Sequence, residues 1–350
     1  MIITKTPFRM SFFGGGTDLP EFFNLPGERG AVISTTIDKY VYVTVRHLPR
    51  FFDYTTEIHY AKQERVNSID EIEHPLVRNA MKFLDMHELH ISYDADLPNR
   101  TGLGTSSTFA VGLLNAFYAL KNKFVPKDQL AKDSIYLERV LCKEAGGWQD
   151  QIAAAYGGFN RIDFADGEYR VTPIVISHEK RKVLGESLML FFTGFTRFSA
   201  DIQEIANKEF NDNKEEKIKQ LRSLYALVNE AQDILENGNR NIDDFGLLLD
   251  KEWEIKKKLS SEVSNSNLDA IYCKAKKAGA LGGKLLGAGG GGFFIFYVLK
   301  EKQNSVRKAL KLMEVPFEFE RDGARVVYYS PEIYDVNGMV EDSEEEKLDK

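Results

Sequence analysis

Cysteine is scarce: Cys142 and Cys273 are the only two in 350 residues. That excludes a disulfide framework and fits a reducing compartment, with both thiols read as packing residues. No apolar run approaches the ~18 residues that a bilayer requires. The opening MIITKTPFRMSFFGGG also lacks a basic region followed by an apolar core and a small-residue cleavage site. The expectation is a cytoplasmic protein with no membrane partner. Positive charge is short as well: the net charge is -7 and the sequence pI about 5.6. This argues against nucleic acid as a partner, and any anionic ligand must be met by local groups. The six histidines show no metal-ligand spacing with cysteine, and HELH at 87–90 is not in the H-E-x-x-H register. They read as surface or core residues.

What is present is ordinary globular material, 43% hydrophobic and 28% charged, enough for two domains with their own cores. Ala31 to Ile37 and Tyr40 to Arg46 read as strands, with a turn at Asp38-Lys39. Helices are predicted from Ser106 to Lys121 and from Lys127 to Glu144, followed by strands around the turn Asp166-Gly167. A second unit starts at the buried strand LMLFFTG. In its long amphipathic helix Ile218, Leu221, Leu224, Val228, Ala231 and Leu235 recur until Asn237-Gly238. A helix from Leu268 to Lys277 closed by Gly279, a strand from Phe293 to Leu299 and a helix from Ser305 to Met313 follow. Two strands, Pro316 to Glu320 and Ala324 to Tyr329, are expected to pair around Asp322-Gly323. The fold class is α+β in two domains, a mixed α/β unit over 1–180 and an α+β unit over 181–335. The acidic tail 336–350 is expected to be disordered.

Three glycine-rich segments stand out: PFRMSFFGGGTDLP at 7–20, LPNRTGLGTSSTFAVG at 97–112 and GGKLLGAGGGGFFIF at 282–296. The second is a glycine turn feeding a helix, with Thr105, Ser106 and Ser107 placed to cap it. Its free amides and helix dipole suit phosphate oxygens. It lacks the lysine of a P-loop. Each segment, taken alone, is more often only a tight turn. Three in one chain suggest backbone brought close to a ligand.

In order and detail, TPFRMSFFGGGTD, PNRTGLGTSST and GGKLLGAGGGGF resemble the three motifs of the GHMP kinases, the family of galactokinase, homoserine kinase, mevalonate kinase and phosphomevalonate kinase. The resemblance runs from Thr6 to Phe296 and implies a two-domain fold with a ferredoxin-like second domain. It also implies ATP as co-substrate, Mg²⁺, and phosphoryl transfer to a hydroxyl. The amides of Gly102, Leu103, Gly104, Thr105, Ser106 and Ser107 are then the cradle for the ATP phosphates. Ser106 and Glu138 match the metal ligands, Glu138 standing twelve residues before Asp150 in LERVLCKEAGGWQDQ. Without the family, Glu138 is a solvated helix residue and Arg9 a strand tie. With it, Asp150 faces the acceptor hydroxyl and Arg9 is the cation that stabilises Asp150 and the transferring group.

Where galactokinase-like members carry G-E-H-T-D, this chain has Gly14-Gly15-Gly16-Thr17-Asp18. That puts galactose in doubt and leaves more room around Gly15 and Gly16, with Asp18 still able to grip a sugar hydroxyl. The full first motif, with GGWQDQIAAAYGGFNRI and FFTGFTRFSADI, is similar to the heptose kinase branch of the family. The resemblance implies D-glycero-D-manno-heptose 7-phosphate as acceptor and a 1,7-bisphosphate product on the way to nucleotide-activated heptose for surface glycans. Arg197 is then a clamp for the acceptor's own phosphate, and Gly289 and Gly290 bring backbone near the acceptor. Another sugar or sugar-phosphate kinase, acting on a hexose or on heptose 1-phosphate, and a non-catalytic binding relative stay open. A homodimer is compatible with all of these.

Overall fold

The run of β-branched and aromatic residues from Gly30 onward makes one strand of 18 residues, β2 (Gly30–His47), antiparallel to β1 (Ile2–Phe13). The chain is described by a computed structural model over residues 1–99, 101–194 and 213–331. The turn expected at Asp38-Lys39 does not form. The pairing of β1 with β2 instead shifts register between Pro7↔Tyr40 and Arg9↔Thr36, a bulge that bends the strand without ending it. Asp38 holds the bulge in place: its amide donates to the Glu318 carbonyl at 3.0 Å, and its carboxylate accepts from Glu318 N at 2.8 Å.

The remaining strands are β3 (Thr56–His59), β4 (Gln63–Val66), β5 (Leu89–Ala95), β6 (Phe159–Ala165), β7 (Glu168–Pro173), β8 (Leu188–Phe192), β9 (Ala280–Leu285), β10 (Phe293–Val298), β11 (Met313–Val315), β12 (Phe319–Glu320) and β13 (Arg325–Tyr329). The first sheet has nine strands along β13-β1-β2-β5-β3-β4, with β6, β7 and β12 joined through β2. β12 and β13 do not pair with each other as expected. β12 lies against β2 and β13 against β1, so the stretch 181–335 contributes to both sheets.

Helix Thr105–Leu120 lies on β1 and β2, buried over most of its surface. Gly112 lets it approach, since a Cβ there would sit 2.8 Å from Thr6 Oγ1. The helix expected over 127–144 is shorter: Lys127–Tyr136 is α-helical and widens into a π-helical turn, Leu137–Leu141, closed by Cys142 N to the Leu137 carbonyl at 2.9 Å. Such turns often present functional side chains, and this one presents Glu138.

The second sheet has four antiparallel strands in the order β11-β8-β10-β9. With helices Asp244–Leu259 and Ser266–Ala278 before β9 and Gln303–Leu310 before β11, this is the β-α-β-β-α-β pattern of a ferredoxin-like unit. Trp253, Tyr272, Phe294 and Phe296 pack at its centre. The long helix Lys214–Glu236 buries Leu221, Leu224, Val228, Ala231 and Leu235 as its periodicity predicts. Phe12 and Phe13 of β1 meet Phe245 edge-on, and there the two units share one core. Among the described residues, no helix is long and apolar enough to cross a membrane.

Candidate active site

The site lies where β1, the second glycine loop (Gly102 to Ser107) and helix Gln149–Tyr156 converge. Arg9 projects from β1 and is 3% exposed. Its Nε and Nη2 donate to Asp150 Oδ1 and Oδ2, both at 2.7 Å, and Nη1 donates to the Gly102 carbonyl at 2.7 Å. The guanidinium fork thus fixes the carboxylate and the loop together. Asp150 is in the first turn of its helix, near the positive end of the dipole, with its side chain 24% exposed.

The hydroxyl run after Gly104 does not cap helix Thr105–Leu120 as its composition suggests. The cap is Gly104 itself, in a left-handed conformation that makes no side-chain cap bond. The first intrahelical hydrogen bond runs from Thr108 N to the Gly104 carbonyl at 2.8 Å. The amides of Thr105, Ser106 and Ser107 precede it, as the first donors of a helix do. Gly104 is pressed against the fork, since a Cβ there would lie 3.2 Å from Asp150 Oδ2 and 3.3 Å from Arg9 Cγ. Leu103 is buried, its carbonyl accepting from Arg9 N at 3.3 Å, whereas Ser106 is exposed and Ser107 buried.

Glu138 is 1% exposed. Gln151 Nε2 donates to its Oε2, and Oε1 is buried with no hydrogen-bond partner. Burial, then the charge of Glu144, push its carboxyl upward, while Ser107, Gln151 and Ser106 draw it back. A buried carboxylate oxygen without a donor, beside the start of helix Thr105–Leu120 and the Ser106 hydroxyl, suits a hard divalent cation.

The first glycine motif turns its polar side chains inward. Thr17 Oγ1 donates to the carbonyls of Gly14 at 2.7 Å and Ala31 at 2.9 Å, and it accepts from Ala31 N at 3.0 Å. Asp18 Oδ1 accepts from Gly16 N at 2.9 Å and Oδ2 from Gln149 N at 3.3 Å, beside the turn that carries Asp150. Burial, then Asp150, raise the Asp18 carboxyl. Gly15 is the open member: a Cβ added there would meet nothing nearer than Gln149 Nε2 at 3.9 Å.

In the third loop, Gly290 N donates to the Val263 carbonyl at 3.1 Å, and a Cβ on Gly289 would sit 2.6 Å from Val263 Cα. Arg197 lies outside the described residues. Lys256 and Glu252, absent from the sequence-based expectations, are buried beneath this loop. Their only signal is a four-residue spacing in DKEWEIKKKL, which reads as a solvated charge run.

Away from this site, Glu57, His59 and His90 bring a carboxylate and two imidazoles together on β3 and β5, which their sequence spacing does not suggest. Arg65 Nε and Gln63 Nε2 already donate to Glu57 Oε1 at 2.8 Å each, and Arg46 lies across from His90. Against the effect of burial, donors led by Arg65 hold Glu57 down to about 2. This is a cross-strand ion ladder, and a cation would have to displace Arg65.

Family models for the GHMP kinases N terminal domain and the GHMP kinases C terminal match residues 75–158 and 217–314. The chain belongs to the GHMP kinase family: it is a sugar kinase, an ATP-using phosphotransferase that acts on a hydroxyl group. Within the family it is similar to the D-glycero-alpha-D-manno-heptose 7-phosphate kinase of Campylobacter jejuni, with 32% identity over 345 residues that cover 93% of this chain and 98% of that protein. It is also similar to the bifunctional fucokinase/GDP-fucose pyrophosphorylase of Arabidopsis thaliana, 24% identical over 90% of this chain and 31% of that protein. The crystal structure of a D-glycero-D-manno-heptose 1-phosphate kinase from Bacteroides thetaiotaomicron shares the fold, with a TM-score of 0.76 at 24% identity, covering 94% of this chain and 100% of that one.

Proposed function

We propose that the enzyme transfers the γ-phosphoryl group of ATP to the anomeric hydroxyl of D-glycero-D-manno-heptose 7-phosphate, giving the 1,7-bisphosphate and ADP. The observation that carries the reading is the Arg9–Asp150 fork set against the open N-terminus of helix Thr105–Leu120. Phosphoryl transfer is mostly positioning and charge neutralisation, and this arrangement supplies both. The amides of the helix start hold the phosphate oxygens. The outward lone pairs of Asp150, not used by Arg9, take the acceptor proton as the sugar oxygen bonds to the γ-phosphorus and the bond to ADP breaks. Arg9 balances the carboxylate's charge and keeps its plane fixed.

Ser106 and the free oxygen of Glu138 would hold Mg²⁺, which when bound neutralises charge on the phosphates. The heptose acceptor is supported by the Campylobacter relative and by the space above Gly15. A cytoplasmic enzyme supplying nucleotide-activated heptose synthesis follows from that substrate.

A coupled ADP-release assay over hexoses, hexose phosphates and heptose 1- and 7-phosphates tests the reading. The highest kcat/KM is expected with the 7-phosphate. A preference for heptose 1-phosphate or a free hexose overturns the acceptor, and ADP release independent of any sugar overturns the kinase role.

A further inference from the structure

Helix Asp244–Leu259 carries Glu252 and Lys256 one turn apart, and β9 carries Lys284. All three are buried, at 0%, 6% and 1% exposure. Lys284 Nζ donates to Glu252 Oε1 at 3.0 Å and to the Phe12 carbonyl of β1 at 2.8 Å, so the carboxylate is matched to this ammonium. Lys256 Nζ donates instead to two main-chain carbonyls, Leu285 at 3.0 Å and Gly287 at 2.6 Å. Burial and the charge of Lys284 push the Lys256 ammonium well below the ordinary lysine range, against the pull of Glu252. Both of its hydrogen bonds go to main-chain carbonyls of the third glycine segment.

Those carbonyls lie at the end of β9 and in the loop after it, which backs the phosphate cradle. A Cβ on Gly287 would lie 2.3 Å from Gly102 Cα, and one on Gly102 would lie 2.2 Å from the Leu286 carbonyl oxygen. The two loops are therefore stacked main chain on main chain. Gly102 in turn gives its carbonyl to Arg9, which holds Asp150. Lys256 grips one end of this stack and Arg9 the other.

We infer that Lys256 is a positioning residue for phosphoryl transfer: from the C-terminal unit it fixes the third glycine loop against Gly102 and so sets the register between the phosphate cradle and the Arg9–Asp150 fork. The inference rests on the proposed location of the site and is independent of which sugar is the acceptor. A shift of ~1 Å in such a constellation can reduce the rate about 10²-fold.

Lys256→Met in the full-length protein keeps the stem and removes the donors. The Leu285 and Gly287 carbonyls then lose this donor, a modest destabilisation for a chain of this size. Two readouts are needed. Hydrogen exchange of a peptide spanning 101–108 is expected to quicken about tenfold or more, with the melting temperature within a few degrees of wild type. In steady state, kcat is expected to fall about 10- to 100-fold while the acceptor KM changes less than about threefold. Lys257→Met, on the neighbouring position, is expected to change neither. Unchanged exchange overturns the coupling of the loops, and faster exchange with wild-type kcat overturns the positioning role. A lower melting temperature with normal turnover per folded molecule reduces Lys256 to a structural residue and also overturns it. Should Lys256→Met fail to fold, Lys256→Gln, which keeps two donors on a shorter stem, is judged by the same two readouts. If the wild type phosphorylates no sugar, the kinase reading fails, and the exchange result still decides the coupling.

Discussion

The phosphate loop and the third glycine loop look alike in sequence and do different work. In Gly102–Ser107 the backbone is held by Arg9 and backed by Leu286 at Gly102, and the amides of Thr105, Ser106 and Ser107 precede the first intrahelical hydrogen bond. In the loop between β9 and β10 the space a Cβ would take is filled by protein: at Gly287 by Gly102, at Gly289 by Val263 and at Gly292 by the Thr101 carbonyl, whose oxygen would be 2.2 Å from a Cβ. Glycine thus lets main chain pack on main chain in both loops, at Gly102 as at Gly287, while Gly104 in addition opens a helix whose first amides can meet a ligand. The first motif falls between the two, Gly14 sealed against Ala31 and Gly15 open.

The comparison is broken most severely at the fork. Asp150→Asn keeps the shape and loses the proposed base, so kcat should fall ~10²–10⁴-fold with the ATP KM nearly unchanged, read by ADP release. Arg9→Lys should recover little of the loss in Arg9→Ala, because both Asp150 oxygens are held by one guanidinium. Near-wild-type turnover in Asp150→Asn would make the phosphate loop a binding surface alone.

Packing glycines should fail through stability. Gly287→Ala meets main chain at a φ of 73° and should lower the unfolding free energy by on the order of 3 kcal/mol in a denaturant titration. A fully stable Gly287→Ala would mean that the two loops can part.

Glu138 gives a smaller, pH-dependent signal. Its folded value is raised, to about 8, so without metal its contribution to stability is complete below the ordinary carboxylate range and is lost as pH rises towards 8. Melting temperatures of the metal-free protein should therefore fall across that window, with Asp18 adding in the same direction, and Glu138→Gln should flatten much of the decline. Mg²⁺ binding should release a proton and tighten up to ~10-fold per pH unit below 8. A decline unaltered in Glu138→Gln would remove Glu138 as its source. The smallest change is expected at Gly15→Ala, within about 0.5 kcal/mol in stability, with acceptor KM the quantity that moves if sugar sits over this residue.

Much of the fold and site is legible in the sequence. The apolar stripe from Leu221 to Leu235, the left-handed Gly279 after its helix and the order of the three motifs each depend on local chemistry, which spacing reports directly. The expectations fail where distant chain decides. Asp38-Lys39 reads as a turn because polar residues interrupt a strand pattern, but Glu318, far along the chain, converts it to a bulge. Asp322-Gly323 has turn composition, yet the strands on either side find better partners in β2 and β1. At the site, Arg9 and Asp150 stand in recognisable motifs, whereas the inward turn of Thr17 and the burial of Lys256 follow from packing between segments. No local pattern records that.

The pairing of β1 with β13 bears on how the chain is made. Among the described strands the first in order, β1, has for its outer neighbour the last, β13, and Ser330 N donates to the Met1 carbonyl at 2.9 Å. A nascent chain can form the β1–β2 hairpin early, but the edge at Ile2 to Lys5 stays uncovered until β13 has been made. During that interval the growing polypeptide exposes a strand able to pair with other chains. The arrival of β13, more than the closing of either core, is what covers this edge.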